Sequence, residues 1–183
     1  MKELVEKMFK SATYESMKHI ITVLSLVLVA GFSRLIPHPW NFTAIGAMAL
    51  FAGTRMPNKA LAFLAPFLTL LWTDTILGFH ETVVYVYAAV ALITIIGFFT
   101  EGKKSAIVAG SVAGSILFFA ITNFGVWMVQ GMYPHTAAGL LECFTMAIPF
   151  FGNQVAGDLF YTGVLFGAYA LLKTYVPSLK HAA

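Results

Sequence analysis

Three charges interrupt otherwise apolar stretches of this chain, at Arg34, Asp74 and Asp158. Each lies a similar distance from a lysine that marks a predicted inner edge. Arg34 is 16 residues after Lys18, Asp74 is 15 after Lys59, and Asp158 is 15 before Lys173. At about 1.5 Å of rise per helical residue these separations come to roughly 22–24 Å. A bilayer's hydrocarbon core is about 30 Å thick, so the three charges share a layer in its outer third. A charge at that depth is costly, faces the protein interior and needs a partner. The feature points to an all-α integral membrane bundle with a polar site toward its outer face.

Composition agrees. Of 183 residues, 59% are hydrophobic and 10% charged, against about 25% charged in soluble domains. The net charge of +3 is no nucleic-acid signal, because the basic residues gather at predicted inner ends. Lys2, Lys7, Lys10, Lys18, Arg55, Lys59, Lys103, Lys104, Lys173 and Lys180 fall there, and only Arg34 falls on the outer side. By the positive-inside rule both termini are cytoplasmic and the spans number six. Localisation in a bacterial cytoplasmic (inner) membrane, multi-pass, is the expectation. Cys143 is the only cysteine, which excludes an intramolecular disulfide.

Three regions are expected: a cytoplasmic amphipathic segment over 1–18, one six-helix membrane domain over 19–175, and a cytoplasmic tail over 176–183. Residues 1–18 mix both charge signs and lack a small-residue cleavage site, so they do not read as a cleavable signal. Leu4, Val5, Met8 and Phe9 recur at helical spacing, as in a surface helix; a frayed polar tail is the alternative.

The spans are expected at about 19–35, 41–54, 60–77, 82–99, 105–129 and 153–172. The second is short, and small residues fill it (Ala44, Gly46, Ala47, Ala49, Ala52, Gly53). Fewer than about 17 residues do not cross unless polar material dips in at one end. The fifth carries Gly110 and Gly114, offset by one from Ala109 and Ala113, the small-xxx-small spacing of close helix packing. Residues 138–151 read as a capping helix before the last span, ended by Pro149.

The predicted outer layer concentrates polar and aromatic groups, whereas the inner halves of the spans are aliphatic and aromatic. A channel needs polar groups along its whole length, so that class is excluded. Asn123 and Trp127 share a helix face, as do Gln154, Asp158 and Tyr161. Arg34 has Asp74, Asp158 or both as partners; a buried ion pair that only sets helix register is the structural alternative. His38, His80 and His135, with Glu81 or Glu142, hold metal-ligand chemistry, but no two histidines have ligand spacing on one helix, so separate surface histidines are expected. Cys143 reads as a small buried hydrophobe, with thiol ligation of a cofactor the weaker option. An intramembrane aspartyl protease needs Gly-x-Gly-Asp, and here the stretch is Val155-Ala156-Gly157-Asp158. No enzyme activity, cofactor or metal is expected.

The segments Arg34-Leu35-Ile36-Pro37-His38-Pro39-Trp40-Asn41, Ile121-Thr122-Asn123-Phe124-Gly125-Val126-Trp127 and Ala147-Ile148-Pro149-Phe150-Phe151-Gly152-Asn153, with Gly157-Asp158-Leu159, resemble a bacterial family of uncharacterised membrane proteins assigned to transport. The layout is similar to the S components of energy-coupling factor vitamin transporters. That resemblance implies a substrate site near the outer face and an energising module as partner. Such S components dock through Ala-x-x-x-Ala in the first helix; here that stretch reads Leu24-Ser25-Leu26-Val27-Leu28-Val29-Ala30-Gly31, without the pair.

The expected function is transport of a small polar or vitamin-like solute in the lipid bilayer. Arg34, His38, Asn41, Asp74, Asn123, Trp127, Asp158 and Tyr161 are the expected substrate-binding residues. The alternative is a structural or assembly subunit of a membrane complex, with the small-residue face of span five as its contact.

Overall fold

The computed structural model describes residues 21–175, so the segments expected over 1–18 and 176–183 lie outside the described residues. Among these are six α-helices and no strand. The first is α1 (Ile21–Leu35). It is followed by α2 (Ile45–Arg55), α3 (Lys59–Leu77), α4 (Val83–Gly97), α5 (Lys104–Val129) and α6 (Ala137–Tyr175). The connections at 36–44, 78–82 and 130–136 gather at one end of the bundle, called the upper end below. Arg55, Lys59, Lys103, Lys104 and Lys173 lie toward the other end.

The shortest helix is the hub. Every residue of α2 from Ile45 to Thr54 is buried, and it packs against α3, α4, α5 and α6. Val23, Leu26, Val27 and Ala30 of α1 join the same apolar cluster. Small side chains make this possible. A Cβ on Gly53 would come within 2.1 Å of the Thr94 carbonyl oxygen, and one on Gly97 within 2.6 Å of the Leu50 carbonyl oxygen. The α2 and α4 backbones therefore touch directly. At the lower end of α2 the Arg55 guanidinium lies over the Phe166 and Tyr169 rings, 5.6 and 5.2 Å from their centroids, a cation–π clamp on the helix terminus.

The local signals for the longer helices are simple. Asn58 caps α3, its side chain accepting from the Ala60 N–H at 2.8 Å. On α5, Gly110 and Gly114 turn inward, where Cβ atoms would meet Thr100 at 2.8 Å and Ile93 at 3.3 Å. Ala109 and Ala113 lie on its exposed side. Half of the small-residue pattern thus serves packing inside the bundle.

The largest departure from expectation is in α6. Instead of a capping helix over 138–151 followed by a separate span, one 39-residue helix runs through, with Pro149 inside it. A proline removes one backbone donor and crowds the carbonyl four residues back, so it kinks a helix where it does not end one. Contacts with α5 register the consequence. From Cys143 to Asp158 α6 advances 15 residues, while their partners Asn123 and Ser115 are 8 apart on α5. That is about 22 Å of helix against about 12 Å, so α6 bends or slants away from α5 over the stretch containing Pro149.

Three helices, α3, α5 and α6, are long and apolar enough to cross a membrane. Only 17% of the most apolar stretch of α6 is buried within the chain, and along the whole helix Leu141, Phe160, Val164 and Leu171 are exposed.

Candidate functional site

An 11-residue helix rises about 16 Å, against about 22 Å or more for each helix it packs on. The space above the α2 N-terminus is partly filled by the 36–44 connection, and what remains is a cavity of about 790 Å³ open at the upper end. Its wall combines Arg34, His38, Trp40, Asn41 and Thr43 from the first connection and its flanks with His80 and Thr82. Phe118, Thr122, Asn123 and Gln130 come from the α5 side, and Phe150 and Gln154 from α6. No carboxylate is among the described residues that line it.

The connection that roofs the cavity is stiff. Pro37 and Pro39 fix two φ angles, and Asn41 takes the left-handed conformation (φ 62°), which Asn tolerates better than most residues. His38 Nδ1 lies 2.7 Å from the Pro39 carbonyl oxygen and Nε2 3.3 Å from that of Arg34, so its ring ties the turn to the end of α1. Ser33 Oγ accepts the Ala44 N–H at 2.9 Å and anchors the other side. Trp40 stands 75% exposed on this roof, its ring edge toward Phe150 at 6.3 Å.

Arg34 is held from behind. Its Nη1 lies 2.8 Å from Asp74 Oδ1 and donates to Thr73 Oγ1. Asp74 is 1% exposed, against 16% for the Arg34 side chain, and the Tyr87 phenol lies beside the carboxylate. The acid thus sits behind the arginine, out of reach of the cavity.

Asp158 does not meet Arg34. Its Oδ2 accepts from Ser115 Oγ at 2.7 Å and from Gln154 Nε2 at 2.8 Å. Its Oδ1 is directed at the first turn of α2: a Cβ on Gly46 would come 2.3 Å from it, and the Ala47 N–H lies near the carboxylate. No side chain of α2's own N-cap, Ala44, serves that turn, whose free N–H groups carry partial positive charge. Asp158 therefore stabilises the central helix from a different element. We expect Asp158→Asn, which keeps the shape and removes the charge, to destabilise the protein by about 1–2 kcal/mol, seen as a lower unfolding midpoint in detergent. An unchanged midpoint would mean the α2 terminus needs no anion.

Of the residues expected to bind substrate, Arg34, His38, Asn41 and Asn123 line the cavity, while Asp74 and Asp158 sit immediately behind its wall. Trp127 and Tyr161 lie elsewhere. Trp127 Nε1 donates to the Pro134 carbonyl at 2.9 Å, and its ring packs on His135. Tyr161 packs against Phe42 and Phe160. Gln154 is the wall residue the sequence signalled but did not place: it shares a helix face with Asp158, and only the α5–α6 packing turns it to the cavity. Among the described residues, no three His, Cys, Asp or Glu side chains form a metal-binding group. The Cys143 thiol is buried against the Asn123 carbonyl.

A family model, the family of unknown function DUF6580, matches residues 15–179, and the chain belongs to that family. No curated protein matches the chain, and no solved structure does.

Proposed function

We propose that this DUF6580 member is a multi-pass protein of the bacterial cytoplasmic membrane that binds a small polar or vitamin-like solute in the upper cavity, as the binding step of transport. The observation that carries the reading is the cavity itself. It follows from the shortness of α2, and its wall mixes one arginine, two imidazoles, amides and hydroxyls with aromatic rings, the composition of a small-molecule site. The opposite end holds Arg55, Lys59, Lys103, Lys104 and Lys173, which by the positive-inside rule turns the cavity outward. Beneath it α2, buried from Ile45 to Thr54, blocks the way inward. Release into the cell then requires α2 to shift or the bundle to tip, and the S-component likeness makes an energising module the candidate partner for that work.

A structural or assembly subunit is the second reading. It is favoured by the engagement of both intramembrane acids in architecture, Asp74 with Arg34 and Asp158 with the α2 terminus. The test avoids those residues. Thr122 lines the cavity from α5 and is partly exposed, so Thr122→Trp should fill the space without disturbing either cluster. Native mass spectrometry of protein purified in mild detergent should detect a small molecule on the wild type that is lost in Thr122→Trp, with the unfolding midpoint retained. A wild type that carries nothing, and a variant that is simply more stable, would favour the structural reading.

A further inference from the structure

We propose that the cavity selects a monocarboxylate, gripped by the Nε–Nη2 edge of Arg34, with Asp74 and Thr73 as positioning residues. The inference rests on the binding reading above and adds the class of ligand.

The geometry assigns the arginine's two sides different tasks. Nη1 is consumed by Asp74 and Thr73. Thr73 donates its own hydroxyl hydrogen to the Thr69 carbonyl at 2.8 Å, which leaves an oxygen lone pair for Nη1. Nε and Nη2 make no bond among the described residues and are not sealed from solvent, on a side chain that lines the cavity. These two donors are parallel and spaced to meet both oxygens of a carboxylate. An arginine locked at one end loses little rotamer freedom when the other end binds, so the pair behind it raises the affinity of the free edge.

Charge narrows the ligand further. An amine would find no anion, because the described residues of the wall include no carboxylate and Asp74 is shielded behind Arg34. A phosphate dianion would find too few cations: Arg34 is the only Lys or Arg among the described residues of the wall. A single negative charge is what one free guanidinium edge accommodates. The remainder of the ligand meets Phe118, Val126 and Phe150 on apolar ground, and the amides of Asn123 and Gln154. The cavity volume of about 790 Å³ far exceeds a bare carboxylate, so the body is ring-sized.

The test is a matched series on the full-length protein in nanodiscs: benzoate, nicotinate and indole-3-acetate, each beside its carboxamide and the corresponding amine. Thermal midpoint and titration calorimetry are the readouts. Carboxylates should raise the midpoint and bind at least tenfold tighter than their carboxamides. Arg34→Lys, which keeps the charge and loses the fork, should abolish that preference. Thr73→Val should shrink the carboxylate-to-carboxamide ratio without altering carboxamide binding, which a merely structural role would not do. If Arg34→Lys fails to fold, the wild-type series still decides. Equal or better binding of carboxamides or amines overturns the ligand class and leaves the binding reading standing. No binding by any of the three series overturns both.

Discussion

Gly53→Ala should strongly destabilise the folded bundle, whereas Gly163→Ala and Gly167→Ala should leave it intact or slightly more stable. All three sit in apolar helices. The difference lies in what a methyl group would meet: at Gly53 it would lie 2.1 Å from the Thr94 carbonyl oxygen and 2.9 Å from the Gly97 Cα, and at Gly163 and Gly167 nothing within 4 Å. Backbone cannot step aside as a flexible side chain can, so α2 and α4 must separate along their shared seam. Overpacking typically costs about 1–3 kcal/mol; for a backbone clash on the central helix we expect the upper end or more. At the two open positions, replacing glycine gains up to about 1 kcal/mol of helix propensity. Unfolding midpoints of the three variants in one detergent check this. A Gly53→Ala protein as stable as the wild type would show that the α2–α4 contact is looser than described.

The second large effect concerns the ion pair. Arg34→Met should destabilise the protein by about 3–5 kcal/mol, because it strands a buried carboxylate with no counter-charge. The double variant Arg34→Met/Asp74→Leu removes both charges and should recover most of that loss, since a well-packed apolar pair is often as good as a buried salt bridge. Under the monocarboxylate inference the rescued protein folds and still binds no carboxylate. Stability returns and ligand does not, which separates the architectural role of the pair from its role at the cavity. A double variant as unstable as Arg34→Met would sink this account, since it would show that the pair contributes more than mutual neutralisation. The measurements are the unfolding midpoint and the carboxylate titration on the same three proteins.

Helix bounds were largely legible because helical hydrogen bonds are local and their stop signals are too. The expected 60–77 and 105–129 became Lys59–Leu77 and Lys104–Val129, set by the Asn58 cap and the break after Gly97. The depth argument also reduced the partners of Arg34 to two acids. It could not choose between them: Asp74 and Asp158 share a depth, and only the rotation of α3 and α6 decides which faces α1. Pro149 shows the limit of a local rule. Read alone it ends a helix; here the helix runs on through it.

By itself the sequence determined the apolar segments, the exposed and buried punctuation, and a polar layer at one depth. Each of these follows from side-chain chemistry and chain length alone. Tertiary packing decided the rest. It made the shortest helix the centre of the bundle, set Asp158 against the first turn of that helix, and left above it a cavity that Arg34 lines. The physical reason is that a cavity and a pairing are properties of several helix faces at once. No single stretch of chain encodes the angle at which another will meet it.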